Sequence, residues 1–470
     1  MTLSVAYLIV TQFLIGFGVL ARLRPVTKGL SLLGLSMLAG LGISSVLPFV
    51  LQFAHAPIAR FPMFIGLGLL AALSLLLLRG QFTYLRDVFA RKQFMVHLYE
   101  LPFLGFWAYL LFISAWKCAW YPNLPFDTIV GPDLIATFAV RERTLISSVF
   151  TAHLPSVSVF SNQPFYAPFT AMQQILYLLA AGGIGTFAFG KLWLTVMVLA
   201  FGLFFYADMR ERIHPLLAGL LVTMLACSPE LFAYTFLVQT DWANAAFFVV
   251  GVMLLQRYFD DSQRSTLLAA TLFFAFACWI RTETILFVFI GSALLFAKSL
   301  RSSPGKAVLK ASMLTVACLL PFIFWNYIFL RGYVVLPAST HLGTLQTVSG
   351  NYFTNLFTIY GKMTDTVLLH DTYWNYSVWA FLAFTTLNFS FFRSKQGLPI
   401  LIWILGIYGL FGLLIMHIEG ANVPFTFRRG FFKILFLMYF YLGYTTLFQR
   451  ITNWLFQWEE KTLSQASINL

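Results

Sequence analysis

Charge is what this sequence has least of. Asp, Glu, Lys and Arg make up 10% of its 470 residues, whereas 60% are hydrophobic, 53 of them Phe, and the mean hydropathy is +0.81. So few charges exclude a soluble globular chain, which could not cover that much apolar surface. Cysteine is scarce too. Cys118, Cys227, Cys278 and Cys318 form no CxxC pair and no zinc-like spacing, so the sequence offers no disulfide framework and no thiolate metal centre. Three of the four fall inside apolar runs, where a free Cys packs as a small hydrophobe. Walker and Rossmann glycine patterns are absent, which argues against nucleotide binding. The net charge of +13 does not point to nucleic acid, because the basic residues lie in short loops between apolar runs rather than on one face.

What is present is a succession of apolar runs of about 17–25 residues, the length that crosses a bilayer as a helix. The fold class read from them is an all-α polytopic membrane protein. Spans are expected at 3–20, 30–53, 61–78, 94–116, 190–207, 215–235, 242–259, 266–280, 284–297, 309–329, 376–392, 398–416 and 431–448, thirteen in all. The first run follows Met-Thr-Leu-Ser with no basic residue before it and no small-residue cleavage site, so it reads as a retained helix. The stretch 169–188, with Gln173, Gln174 and AAGGIG, reads as a helix lying in or dipping into the outer interface.

The basic residues assign the sides. Arg22, Arg24 and Lys28, then Arg79, Arg86, Arg91 and Lys92, then Lys298, Arg301, Lys306 and Lys310 cluster in alternate loops; Arg210/Arg212, Arg257/Arg264 and Arg393/Lys395 mark further turns. With the amino terminus outside, all of these fall in the cytoplasm. Residues 117–168 then form a long external loop carrying juxtamembrane helices, and 451–470 a short cytoplasmic tail.

The external side collects the remaining charge: Asp127, Asp133, Arg141, Glu142, Arg143, Asp241, Arg281, Glu283, Arg331, Asp365, Asp371, Arg428 and Arg429. Charges near membrane depth are costly and usually functional. Carboxylates can take a proton from a hydroxyl, and arginines can clamp a phosphate. Each has a plainer role beside that one. Asp127 and Asp133 lie near prolines, as turn residues do. Arg141, Glu142 and Arg143 fit a solvated surface helix, and Asp241 fits a helix N-cap. Arg281 and Glu283 fit a pair anchoring a helix end. His370-Asp371 is at most a weak metal signal.

Taken in chain order, several segments resemble the GT-C superfamily of integral membrane glycosyltransferases, of the aminoarabinose or protein mannosyltransferase type. The long external loop carries YPNLPFDTIVGPD. SNQPFYAPFTAMQQILYLLAAGGIGTFAFGKLW resembles the family's segment before its next span. HPLLAGLLVTMLACSPELFAYTFLVQTDWANAAFF, FFAFACWIRTETILFV and VPFTFRRGFFKILFLMYF resemble later spans in the same order. The resemblance covers roughly 94–450, read as a transmembrane catalytic module. Residues 1–93 would be an amino-terminal three-helix extension.

The resemblance implies an inverting transfer of a sugar from a polyprenyl-phosphate carrier to a lipid, glycan or protein acceptor, at the outer face of a cell membrane. Asp127 is the best positional match for the family's catalytic base and Asp133 the second. Arg428, Arg429 and Arg281 would bind the donor phosphate, and Asp241, Glu283, Gln163 and Tyr166 would orient substrates. No cofactor is demanded; a divalent cation beside Asp127 or Asp133 would be compatible. The chain departs from the pattern in three ways: the extra helices before residue 94, FDTIVGPD in place of paired acids followed by Tyr, and Gln163-Pro164 in place of a Pro pair. A short tail argues against the oligosaccharyltransferases. The rival classes are a polysaccharide polymerase or ligase, whose large loop usually falls late in the chain, and a lipid or solute transporter, which would show matched broken helices. A scaffold would not need this concentration of external acids.

Overall fold

A computed structural model describes residues 3–25, 27–90, 96–121, 126–151, 166–183, 189–301, 303–333, 345–348, 350–387 and 397–468. Among these residues the secondary structure is helical, with one isolated bridge between Leu345 and Ile418. The principal helices are α1 (Leu3–Leu23), α2 (Gly29–Ser44), α3 (Leu47–Phe53), α4 (Arg60–Leu76), α5 (Leu101–Trp120), α6 (Pro132–Glu142), α7 (Phe169–Ala181), α8 (Leu192–Arg210) and α9 (Pro215–Ala226). They continue as α10 (Thr240–Asp261), α11 (Arg264–Ile280), α12 (Thr284–Leu300), α13 (Pro304–Ile323), α14 (Tyr352–Met363), α15 (Ser377–Leu387), α16 (Leu398–His417), α17 (Arg428–Leu442) and α18 (Thr446–Ile468). Proline within the first two positions starts α6, α9 and α13, where its missing N–H costs nothing.

Among the described residues seven helices are long and apolar enough to cross a membrane, or up to eight if the bent pair formed by α17 and α18 counts as one span. The sequence led to thirteen. The difference lies in shorter helices such as α4, α9, α11, α12 and α15, of 11 to 17 residues. The run at 215–235 passes beyond the end of α9 at Ala226, whereas those at 266–280 and 284–297 lie wholly inside α11 and α12, which are themselves short. At about 1.5 Å per residue, 17 residues reach roughly 26 Å, short of a full hydrocarbon core.

The first helices are packed into the bundle rather than appended to it. Gly16 of α1 and Gly40 of α2 sit at their crossing, where a Cβ on either would overlap the facing backbone. Small residues allow this close approach, which helix association in lipid relies on. α2 runs along α8, and α1 also packs on α7 and α11. Inside this contact Gln12 Nε2 donates to Ser44 Oγ (2.9 Å) and Gln173 Oε1 (3.0 Å), and its Oε1 accepts from Tyr177 (3.0 Å). So α7, expected at an interface, dips inward and is enclosed: nearly all of its residues are buried, Gln173 and Gln174 included. The tail also differs. α18 begins at Thr446 and leaves α17 at 49°.

The end of the bundle holding Arg210, Arg212 and Arg257 is tied by ion pairs. Asp208 is fully buried between Arg212 (3.0 Å) and Arg257 (2.5 Å), and Glu100 meets Arg210 at 2.9 Å. These arginines were read only as loop charges; here they fasten α5, α8 and α10 to one another.

Candidate functional site

At the opposite end, five separate segments converge on a cavity of about 540 Å³, with Asp127, Tyr166, Asp241, Arg281, Asn422 and Arg429 in its wall. Each is positioned by local structure. Asp127 lies on a short helix, Phe126–Ile129, whose Thr128 Oγ1 donates to the Val238 carbonyl at 2.9 Å. That bond sets the loop carrying Asp127 against the chain entering α10. Asp241 falls in the first turn of α10 and is buried. Arg281 and Glu283 occupy the turn between α11 and α12. Asn422 accepts from the Phe425 N–H at 2.9 Å, capping the turn that leads Arg428 and Arg429 into α17.

The charges are paired. Arg429 Nη1 donates to Asp127 Oδ2. Arg281 bridges Asp241 and Glu283 and lies over the Tyr166 ring, 5.6 Å from its centre. Asp241 was expected either to cap α10 or to orient substrates; its partner is an arginine forty positions along the chain. Such self-pairing is what charges recessed in an apolar bundle require, since an unpaired charge there costs several kcal/mol.

The remaining expected residues divide. Asp133 is absent from the cavity wall: its Oδ1 accepts from Gln174 Nε2 at 3.2 Å, and Gln174 in turn accepts from Trp193 Nε1 at 3.1 Å. Asp133 therefore faces α7, and of the two candidate bases Asp127 is the one in the wall. Arg428 is also outside the wall. Its Nε pairs with Glu230 at 3.1 Å, its guanidinium lies over the Tyr373 ring at 5.1 Å, and Nη1 donates to Tyr373 Oη at 3.5 Å. Glu283 reaches the site through Arg281. Gln163 lies outside the described residues. Glu142 accepts from the N–H and hydroxyl of Ser148, so it holds the helix Ser148–Thr151 rather than the cavity.

Sequence reasoning missed Glu230. The residue lies inside the run 215–235, and its signal is an acid directly after Pro229 within an otherwise apolar stretch. Burial pushes its carboxyl above the ordinary value, against the pull of Arg428 and Arg429. Among the described residues no group of three His, Cys, Asp or Glu is placed to hold a metal ion. His370, next to Asp371, is exposed and its Nδ1 meets Thr372 Oγ1 at 2.7 Å, a local turn contact. Comparison with protein-family models, curated proteins and solved structures found no match for this chain.

Proposed function

We propose that the protein is a membrane glycosyltransferase that moves a sugar from a polyprenyl-phosphate carrier to a hydroxyl acceptor. The carrying observation is the cavity where Asp127 and Arg429 meet as a pair, with Arg281 on the same wall. A carboxylate that can accept a proton thus stands beside cations that can stabilise a leaving phosphate. In the resting protein Arg429 is occupied by Asp127. A donor phosphate drawing Arg429 to itself releases the Asp127 carboxylate. The acceptor oxygen then attacks the anomeric carbon, its proton passes to Asp127, and the carbon–oxygen bond to phosphate breaks with the electron pair leaving on the phosphate. One displacement inverts the carbon. The acceptor is a lipid, glycan or protein.

The reading includes a GT-C-like bundle of about thirteen crossings in a cell membrane, with the shorter helices crossing under cover of their neighbours. It puts the amino terminus and the cavity outside and the carboxyl terminus in the cytoplasm, following the basic loops. The fifteen residues of α17 rise roughly 22 Å against a hydrocarbon core of about 30 Å, so Arg429 would sit below the outer edge, within reach of a lipid phosphate. A transporter would instead gather its charges near the midplane on matched broken helices.

The test is transfer by the purified full-length protein with a panel of polyprenyl-phosphate sugars, alongside thermal stabilisation by the carriers. Stabilisation and turnover with one donor, and loss of turnover in Asp127→Asn, support the reading. A folded protein that no carrier stabilises rejects it in favour of a transporter. Turnover kept by Asp127→Asn and lost by Asp133→Asn rejects the assignment of the base.

A further inference from the structure

Lys433 stands on α17 one turn beyond Arg429, and its side chain is 2% exposed. Among the described residues no carboxylate lies within ion-pair distance of it; its Nζ is 5.6 Å from the centre of the Phe287 ring. An ammonium held this way in an apolar interior is costly unless opposite charge is close by.

The compensation lies one turn toward the cavity. Phe287 is one helical turn along α12 from Glu283. α10, which begins with Asp241, packs against both α12 and α17. Asn244, one turn along from Asp241, donates to Thr284 Oγ1 at 2.8 Å and to the Ala277 carbonyl at 2.7 Å, fixing α10 to α11 and α12 at this level. Arg281 serves two carboxylates, Asp241 and Glu283, so the trio carries one negative charge in excess. Burial disfavours the Lys433 ammonium most, the Arg281 charge opposes it as well, and the Glu283 and Asp241 carboxylates favour it. From its own helix Arg429 stands one turn above, and α16 contributes the apolar Phe411 ring against Phe287.

We propose that Lys433 is a positioning residue that balances the second carboxylate of the Asp241–Arg281–Glu283 trio and thereby keeps Arg281 clamped in the cavity wall. The four side chains form a neutral quartet contributed by α10, the α11–α12 turn and α17. The proposal does not depend on which reaction the cavity performs. Without Lys433, the floor of the cavity carries an uncompensated carboxylate that repels anions.

The experiment is a mutant cycle on the full-length protein in detergent, read as melting temperature at pH 7. Lys433→Met is expected to lower the melting temperature by several degrees at pH 7. Adding Glu283→Gln restores most of that loss, because it removes the carboxylate that Lys433 balanced. A deficit that is the same with and without Glu283→Gln means that Lys433 contributes packing only and overturns the proposal. Should Lys433→Met alone yield no folded protein, recovery of folded double variant supports the quartet, and equal failure of both overturns it.

Discussion

Replacing Asp127 by Asn is expected to do two things of opposite sign. The side chains of Asp127 and Arg429 are 25% and 20% exposed, so their pair belongs between the exposed class, worth up to about 1 kcal/mol, and the buried class, whose disruption costs about 3–5 kcal/mol. About 1–2 kcal/mol is a fair value for this intermediate site. That is also the free energy an entering phosphate must overcome to draw Arg429 away from Asp127. Asn removes the competing charge while keeping the shape, so a carrier phosphate should bind more tightly, by roughly 5- to 30-fold. Transfer should fall about 10²- to 10⁴-fold in the same variant, because the group that accepts the acceptor proton is gone. The assay pairs a titration of a polyprenyl phosphate, read by thermal shift, with single-turnover transfer from the matching sugar donor. Weakened or unchanged binding in Asp127→Asn refutes the competition between carboxylate and phosphate. Retained transfer refutes the role of Asp127 as base.

Arg429→Ala should weaken carrier binding about tenfold or more, the loss of a charge-assisted hydrogen bond, whereas Arg428→Ala, tied to Glu230 outside the wall, should change it less than about threefold; the reverse order in the same titration contradicts the geometry. Asp133→Asn keeps an acceptor for Gln174, so stability should move by less than about 1 kcal/mol and transfer should survive, which a dead enzyme with an unshifted melting temperature would disprove. Burial holds Glu230 above its ordinary range, so the folded state binds this proton more tightly than the unfolded chain. Its stabilising contribution is present below the unfolded value of about 4.3 and is lost as pH rises through the higher folded value. Glu230→Gln should therefore flatten the fall in melting temperature as pH rises above about 4.3, and an unaltered slope would show that the carboxyl is not perturbed.

The membrane class was legible because apolar runs and loop charges act locally. The site was legible for a related reason. Charge is so rare in this chain that acids and bases near the helix ends had few other uses, and Asp127, Asp241, Arg281 and Arg429 do converge. The pairings were not legible. Asp127 meets Arg429 across 302 positions, and nothing local to either residue encodes that contact. Helix phase decided Asp133: Ile135, Ala136 and Ala139 form the buried stripe of α6, and Asp133 precedes Ala136 by three, which turns it toward α7. Lys433 was hidden for the opposite reason, since FFKILFLMYF reads as an uninterrupted span. The number of crossings was less legible: the sequence holds thirteen apolar runs, and five of them carry helices shorter than a full span, α4, α9, α11, α12 and α15.

The ion pairs carry a consequence for how the cavity works. In water Asp127, Asp241, Arg281 and Arg429 would each be satisfied by solvent; recessed between helices, they must satisfy one another before any ligand arrives. Binding an anion here is therefore an exchange rather than an addition. On the proposed function, the ligand gains an arginine and the protein loses a carboxylate's partner, so the net affinity from a carrier phosphate alone is small, and most of the binding free energy has to come from apolar contact with the lipid chain. Only a ligand that also offers the freed carboxylate a hydrogen-bond donor recovers the whole loss. A hydroxyl beside Asp127 is such a donor, which makes productive binding of the second substrate favourable once the first is in place. Carrier and acceptor should accordingly bind with positive coupling, and Asp127→Asn, which no longer leaves a charge unpaired, should abolish that coupling in a two-ligand thermal-shift titration.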